Sequence, residues 1–434
     1  MDSIKKIFAI DFYKTLFRKK VVKDFSTIAG LSLALKPIEL IRAYFVAKYL
    51  GPADYGLLKS VELIQMLNKY GSLGFNATAL REVGNAKGAG DLTKVKLIKN
   101  TAYSSESILS FILFFIGLCS SLFFESKTIS ILIILASTGL LTAKLRGIFS
   151  TEAVINKKFI LISRITFFSS LCGSIIIIIF VPFLKIYAVL LTNIFISIFA
   201  IIFFLKYLKF RFSFKIDKKE LMRILRISIP LTIGTLALGS FKYAERILII
   251  SFLGAVSLGF FSFGVTIVSQ FSLILKAGIR VRMPDIYEGF GKKEYKRIHK
   301  MVIKETFLLS LASIIVIPVV WILLDILIPM FLEKWSGGVF SAQLYICILP
   351  FEIMLLYPST VLTSTLLNKQ NILPFFRFGI TGLLILFTLA FHYLDILTLN
   401  KFIILNVACL AIYNFIIIYF YQKCFYKVYI KKLN

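Results

Sequence analysis

The amino-acid sequence predicts an all-α integral membrane protein with twelve transmembrane helices in two six-helix lobes. Three observations carry this. Hydrophobic residues make up 58% and charged residues 17% of the 434 residues, against about 45–50% and about 25% in globular proteins. Lysine and arginine crowd into alternate connections between the apolar runs. A glycine motif returns half a chain later. With a mean hydropathy of +0.87, the chain has more apolar surface than soluble cores of ordinary size bury. That excludes disorder, a secreted disulfide scaffold and a cytosolic enzyme as descriptions of the whole chain.

Residues 1–24 come first. Ile4, Phe8, Phe12 and Leu16 recur every four residues among lysines and Arg18. This predicts a basic amphipathic helix on the inner leaflet and not a cleavable signal peptide. A spanning helix needs about 20 mostly apolar residues. The first six such runs are 25–47, 60–80, 101–122, 129–143, 159–180 and 187–205. The short ones extend into flanking basic residues, whose side chains reach back to the interface. A basic linker, 206–226, follows. The second six are 227–252, 259–275, 305–328, 341–367, 372–390 and 402–422, and a basic tail, 423–434, ends the sequence. The lobes are therefore 25–205 and 227–422.

Net charge is +29, from 51 Lys+Arg against 22 Asp+Glu. In a soluble protein that would point to nucleic acid. In a polytopic one it sets orientation, and no nucleic-acid partner is expected. The tails and even-numbered connections hold 38 of the 51 basic residues, and the odd-numbered connections hold 6. Basic residues accumulate in cytoplasmic loops, so both termini and the linker are predicted to be cytoplasmic. No outer loop exceeds twelve residues, too short for a soluble catalytic domain.

Residues 49–58 read YLGPADYGLL, and residues 252–261 read FLGAVSLGFF. Gly51 aligns with Gly254 and Gly56 with Gly259, at an offset of 203. Each copy follows an odd-numbered span and precedes an even one. Six is even, so both halves insert with the same orientation, a parallel repeat about the membrane normal. Glycine suits these positions where a turn needs positive φ or helices approach closely.

Residues 43–83, AYFVAKYLGPADYGLLKSVELIQMLNKYGSLGFNATALREV, resemble the first helix pair of polysaccharide transporters. Residues 240–264, SFKYAERILIISFLGAVSLGFFSFG, resemble the seventh-helix region of the same group. That group includes the O-antigen and capsule repeat-unit flippases of the multidrug/oligosaccharidyl-lipid/polysaccharide exporter superfamily. The resemblance implies a MATE-like, two-lobed, alternating-access fold in the bacterial inner membrane. It implies export of an undecaprenyl-pyrophosphate-linked glycan across the lipid bilayer; separately, acids embedded in the spans offer sites where H⁺ or Na⁺ would couple to transport. A glycan polymerase and a chain-length regulator are the implied protein partners.

Charges inside spans cost about 2.5–3.5 kcal/mol each on insertion scales and mark functional candidates. Span one carries Lys36, Glu39 and Arg42 at steps of three, neighbours on one helix face. Span two carries Glu62, Gln65 and Lys69, and span seven carries Lys242, Glu245 and Arg246. Span five has Arg164 and span eleven Arg377; Glu106, Asp325 and Glu352 are further embedded acids. A pyrophosphate crossing the bilayer needs cations that pair with it, Arg through two parallel hydrogen bonds and Lys as a point charge. Lys36, Arg42, Lys69, Arg164, Lys242, Arg246 and Arg377 are the substrate-binding candidates, and Glu39, Glu62 and Glu245 the ion-coupling ones. The bland reading stands beside this: Glu39 simply neutralises Lys36 and Arg42, and Glu245 neutralises Lys242 and Arg246.

Other chemistries lack their residues. His299 and His392 are isolated, the five cysteines are scattered, and no HExxH or GxxxxGK[ST] occurs. No metal site, cofactor or ATP-driven engine is expected. Two rival functions remain. A multidrug exporter of the same superfamily prefers acids and aromatics over embedded Lys and Arg. A membrane glycan polymerase or acyltransferase needs a large outer loop or an embedded His.

Overall fold

The computed structural model describes residues 2–208, 213–291, 294–362 and 372–430, with side chains described throughout except in 2–29, 32–33, 67–70, 273–285, 287–291 and 427–430. Among these residues the regular structure is helical, and ten helical stretches are long and apolar enough to cross a membrane. The protein is a polytopic membrane protein.

α1 (Asp2–Gly71) absorbs the amphipathic segment and most of the first two expected spans, and is interrupted at Gly51, whose φ and ψ are 71° and 175°. It is not among the ten apolar stretches; Lys36, Glu39, Arg42 and Lys48 dilute its hydropathy. The second span was expected to run to residue 80. Instead the chain turns at 72–74, with Leu73 and Gly74 at positive φ, and a separate helix α2 (Phe75–Gly88) begins.

The predicted cytoplasmic loops are mostly helical continuations. α3 (Leu92–Ser121) starts directly after Asp91, whose carboxylate accepts the Lys94 backbone N–H at 2.9 Å. α4 (Lys127–Ile155) runs twelve residues past the expected end at 143. α5 (Phe159–Leu184) and α6 (Ile186–Leu208) follow, then α7 (Lys218–Phe252) and α8 (Gly254–Gly291). α9 (Tyr295–Phe331) is the least buried apolar span. Its Phe307, Ile315, Ile322 and Met330 are more than 60% exposed, as a hydrocarbon-facing surface requires.

The expected tenth span is broken. A 3-10 turn (Glu333–Gly338) leads to short helices α10 (Val339–Ile346), α11 (Leu349–Met354) and α12 (Leu356–Leu362). Pro350 and Pro358 each lack the N–H that a continuous helix needs. α13 (Ile372–Tyr393) and α14 (Leu399–Ile430) complete the chain.

Contacts divide the protein into two units. The first comprises residues 1–49 and 64–232, the second residues 50–63 and 233–434. In the first unit α3 packs on α4, α5 on α6 and α4 on α6. Phe75, Ala79 and Val83 of α2, Ile98 and Tyr103 of α3 and Ile224 of α7 share one core. Segment 213–217, inside the expected linker, is tied to α3 by Asn100–Ser213 (2.7 Å) and Thr101–Asp217 (3.3 Å) bonds.

In the second unit α8 packs on α10, α9 on α11, and α13 on α14. The two glycine motifs meet here. A side chain on Gly56 would collide with the Ala255 carbonyl, and one on Gly259 with the Pro52 carbonyl. Each copy thus takes the other's backbone at the equivalent place. Gly51 and Gly254 both hold positive φ, 71° and 79°. Buried Trp335 seals the seam, in edge or tilted contact with Tyr55, Phe260 and Phe263.

Candidate functional site

The charged positions of α7 follow helical spacing. Phe241, Lys242 and Glu245 lie on one side, with Arg246 half-buried beside them. In the second unit they border a cavity of about 190 Å³, together with Tyr345 of α10, Glu352 of α11 and Arg377 of α13. Four acidic and basic side chains, two of each, thus converge on one chamber between apolar helices.

Their settings differ. Arg377 is 9% exposed. Its guanidinium lies 4.5 Å from the Phe241 ring centre and 4.9 Å from that of Tyr413. Two aromatic faces supply negative quadrupole density in place of water. Its Nε has no hydrogen-bond partner among the described residues. Glu245 is equally buried, and the Asn406 amide of α14 donates to it at 2.7 Å. Glu352 accepts from Ser272 of α8 at 3.0 Å. Lys242 is the loose member: its Nζ is 3.7 Å from Glu352, and its side chain is 60% exposed. A Ser240–Thr381 bond of 2.9 Å ties α7 to α13 and fixes the register of the walls.

A buried cation held between two rings, an exposed one and two acids around one chamber can exchange partners. An entering anion competes with Glu352 for Lys242, while Arg377 holds its charge in place. The formal charge of the four groups cancels, so the chamber tolerates being empty, and added anionic charge draws on the cations.

The other sequence candidates lie elsewhere. Lys36 pairs with Glu39 at 2.6 Å on a partly exposed face of α1, and Arg42 is half-buried further along that helix. Glu62 accepts two bonds from Lys59, at 2.8 and 2.9 Å. Lys69 falls among residues whose side chains lie outside the described set. Arg164 is exposed on α5 of the first unit and is not among the residues that line the chamber. The structure thus brings together Lys242, Glu245 and Arg377 and adds Glu352, Asn406, Phe241 and Tyr413. Glu352 and Asn406 were visible as polar residues in apolar runs. The two rings carried no signal, because aromatics are abundant throughout the chain.

A family model described as "Polysaccharide biosynthesis protein" matches residues 21–290. The lipid II flippase MurJ in an inward closed conformation is similar in structure, with a TM-score of 0.69 and 13% identity over 94% of this chain and 90% of that one. An inward-facing multidrug resistance MATE family transporter of the MOP superfamily gives 0.67 and 12%, over 90% and 94%. A mutant form of the Vibrio cholerae MATE transporter VcmN gives 0.56 and 16%, over 94% and 97%. The fold is MATE-like. Comparison with curated protein sequences gives no match.

Proposed function

The chain belongs to the polysaccharide biosynthesis protein family, and from that premise we propose that it is a flippase of the bacterial inner membrane. It carries an undecaprenyl-pyrophosphate-linked oligosaccharide from the cytoplasmic to the outer leaflet by alternating access. It is a carrier and catalyses no bond change. The observation that supports this most is the convergence of Lys242, Glu245, Glu352 and Arg377 on one chamber inside an apolar unit. Such charges are costly in a membrane, and a pyrophosphate substrate gives them a use.

Lys242 is the cation that meets the substrate, exchanging Glu352 for phosphate. Arg377, clamped between rings, provides a fixed positive field. Arg246 adds a third cation close by, and Lys36 and Arg42 are the counterparts in the first half. Protonation of Glu245 or Glu352 frees cations for the substrate, which makes H⁺ the proposed coupling ion.

The test is flipping of a fluorescent lipid-linked glycan in vesicles holding the purified protein. Arg377→Ala is expected to cut the rate about a hundredfold, the loss typical of removing one partner of a buried charge cluster. Arg377→Lys restores only part, since lysine lacks the planar group that stacks on the two rings. Unchanged rates in both Arg377→Ala and Lys242→Ala would overturn the proposal. A second reading, multidrug export, draws on Glu245 and Glu352 beside Tyr345, a set that suits an organic cation. It prevails if the vesicles move a lipophilic cation and leave the glycan unmoved.

A further inference from the structure

The first unit carries a second recess, unconnected with the reading above. It is an open groove of about 800 Å³ between α5 and α6. Leu161, Arg164, Phe168 and Cys172 line it from α5 at steps of three and four, so they form one stripe. Phe199, Phe203 and Tyr207 line it from α6 at steps of four. Their rings follow one another at 4.5 and 6.3 Å. One end is cationic: Lys157, Lys158 and Arg164 are all exposed there, and none of the groove's lining residues is an acid. Lys158 is anchored at that end by donating to the Tyr207 carbonyl at 3.2 Å.

Several other cations of this unit have acids beside them: Lys99 with Glu152, Lys144 with Glu106, and Arg223 with Glu82 and Glu220. The groove's three cations converge on a mouth without one. Arg164 lies six residues into the helix from Lys158, a rise of about 9 Å, where a lone guanidinium enters the bilayer. From Lys158 to Cys172 the apolar trough runs about 21 Å, somewhat more than half of the roughly 30 Å hydrocarbon core.

We propose that this groove binds an anionic glycerophospholipid of the cytoplasmic leaflet. Its phosphate sits among Lys157, Lys158 and Arg164, and one acyl chain lies along Phe168, Cys172, Phe199 and Phe203. The charge alternation of the sequence assigns the 156–158 turn to the cytoplasmic face, the leaflet where anionic lipids attract clustered basic residues. Charge complementarity selects the headgroup, and the groove's depth matches one leaflet.

The experiment is native mass spectrometry of the full-length protein in detergent, titrated with dioleoyl-phosphatidylglycerol, dioleoyl-phosphatidylcholine or undecaprenyl phosphate. Phosphatidylglycerol is expected to bind at least about tenfold more tightly than phosphatidylcholine. Each cation removed should weaken it about fivefold, the effect of one interfacial basic residue. The triple variant Lys157→Ala/Lys158→Ala/Arg164→Ala should then show no preference. A Phe203→Trp variant reads the same site in the folded protein: its fluorescence is quenched more by brominated phosphatidylglycerol than by brominated phosphatidylcholine. Equal binding of the two phospholipids, or a preference that survives in Arg164→Gln and the triple variant, overturns the proposal. So does tighter binding of undecaprenyl phosphate, which makes the groove a carrier site. None of these results bears on whether Arg377 and Lys242 serve transport.

Discussion

Lys144 and Glu106 face each other inside the first unit with both side chains wholly buried, Nζ to Oε1 at 3.4 Å. Ser72 bridges them, receiving from Lys144 at 2.9 Å and donating to Glu106 at 2.7 Å. Removing one member of such a pair strands a charge, at a cost of about 3–5 kcal/mol, while replacing both by apolar groups is often neutral. Lys144→Met is therefore expected to lower stability by that amount, and Lys144→Met/Glu106→Leu to recover most of it. Thermal unfolding in detergent measures both, and a single variant indistinguishable from wild type would refute the assignment. Glu106 was legible as an acid in an apolar run. Lys144 was not: the run of charge at Lys144 and Arg146 lowers hydropathy, so the sequence predicts a span that ends at 143 and places Lys144 in the following loop. Only the fold reveals that α4 continues and turns Lys144 toward α3. The same limit hid the aromatic clamp on Arg377. Spacing along one helix shows which residues share a face, and says nothing of which other helix that face meets.

Among the elements, the repeat and the two uses of its glycines, positive φ and close approach, were legible; that the two copies meet each other was not. The spacing of Gly51 and Gly56 against Gly254 and Gly259 predicted two corresponding turns; the structure packs the two copies against one another. Gly51, at φ 71° and ψ 175°, occupies a region open essentially to glycine, where another residue costs about 1–3 kcal/mol. Gly51→Ala should cost that much. Gly56→Ala and Gly259→Ala act by collision instead, each pushing the same two helices apart, at about 1–3 kcal/mol apiece. Because the first substitution already opens the seam, the double variant is expected to lose less than the sum. Strict additivity in thermal unfolding would mean that the glycines do not share one contact. Asp91 offers a different check at the start of α3. The Lys94 N–H and the Thr93 hydroxyl hold its carboxyl below the usual aspartate range. The cap is fully present above the ordinary value of about 3.9 and is lost as pH falls through the depressed one. The protection factor of the Lys94 amide, its exchange rate relative to the unstructured chain at the same pH, should fall in strong acid, and Asp91→Asn, which keeps a neutral capping oxygen, should remove that pH dependence.

At the scale of the whole molecule, the duplication and the packing disagree in an instructive way. Residues 50–63 belong to the first half by sequence, yet by contact they lie in the second unit, while the chain on either side of them lies in the first. Reciprocal glycine contacts hold them there, with a Tyr55–Thr266 hydrogen bond of 3.1 Å and the Trp335 ring. On the alternating-access reading proposed above, such a seam is released in one of the states, for it joins a segment of one repeat to the other. A seam of two glycine contacts, one hydroxyl pair and a ring contact suits that task, since none of these contacts is itself an ion pair. Tyr55→Cys/Thr266→Cys, in a background lacking the five natural cysteines, allows the seam to be closed by a short bis-methanethiosulfonate linker. Flipping in vesicles is expected to stop on cross-linking and to return when the linker is reduced, with each single-cysteine variant unaffected throughout. Undiminished flipping after complete cross-linking would show that residues 50–63 stay docked through the whole cycle, and the release would then have to lie at another pair of helices.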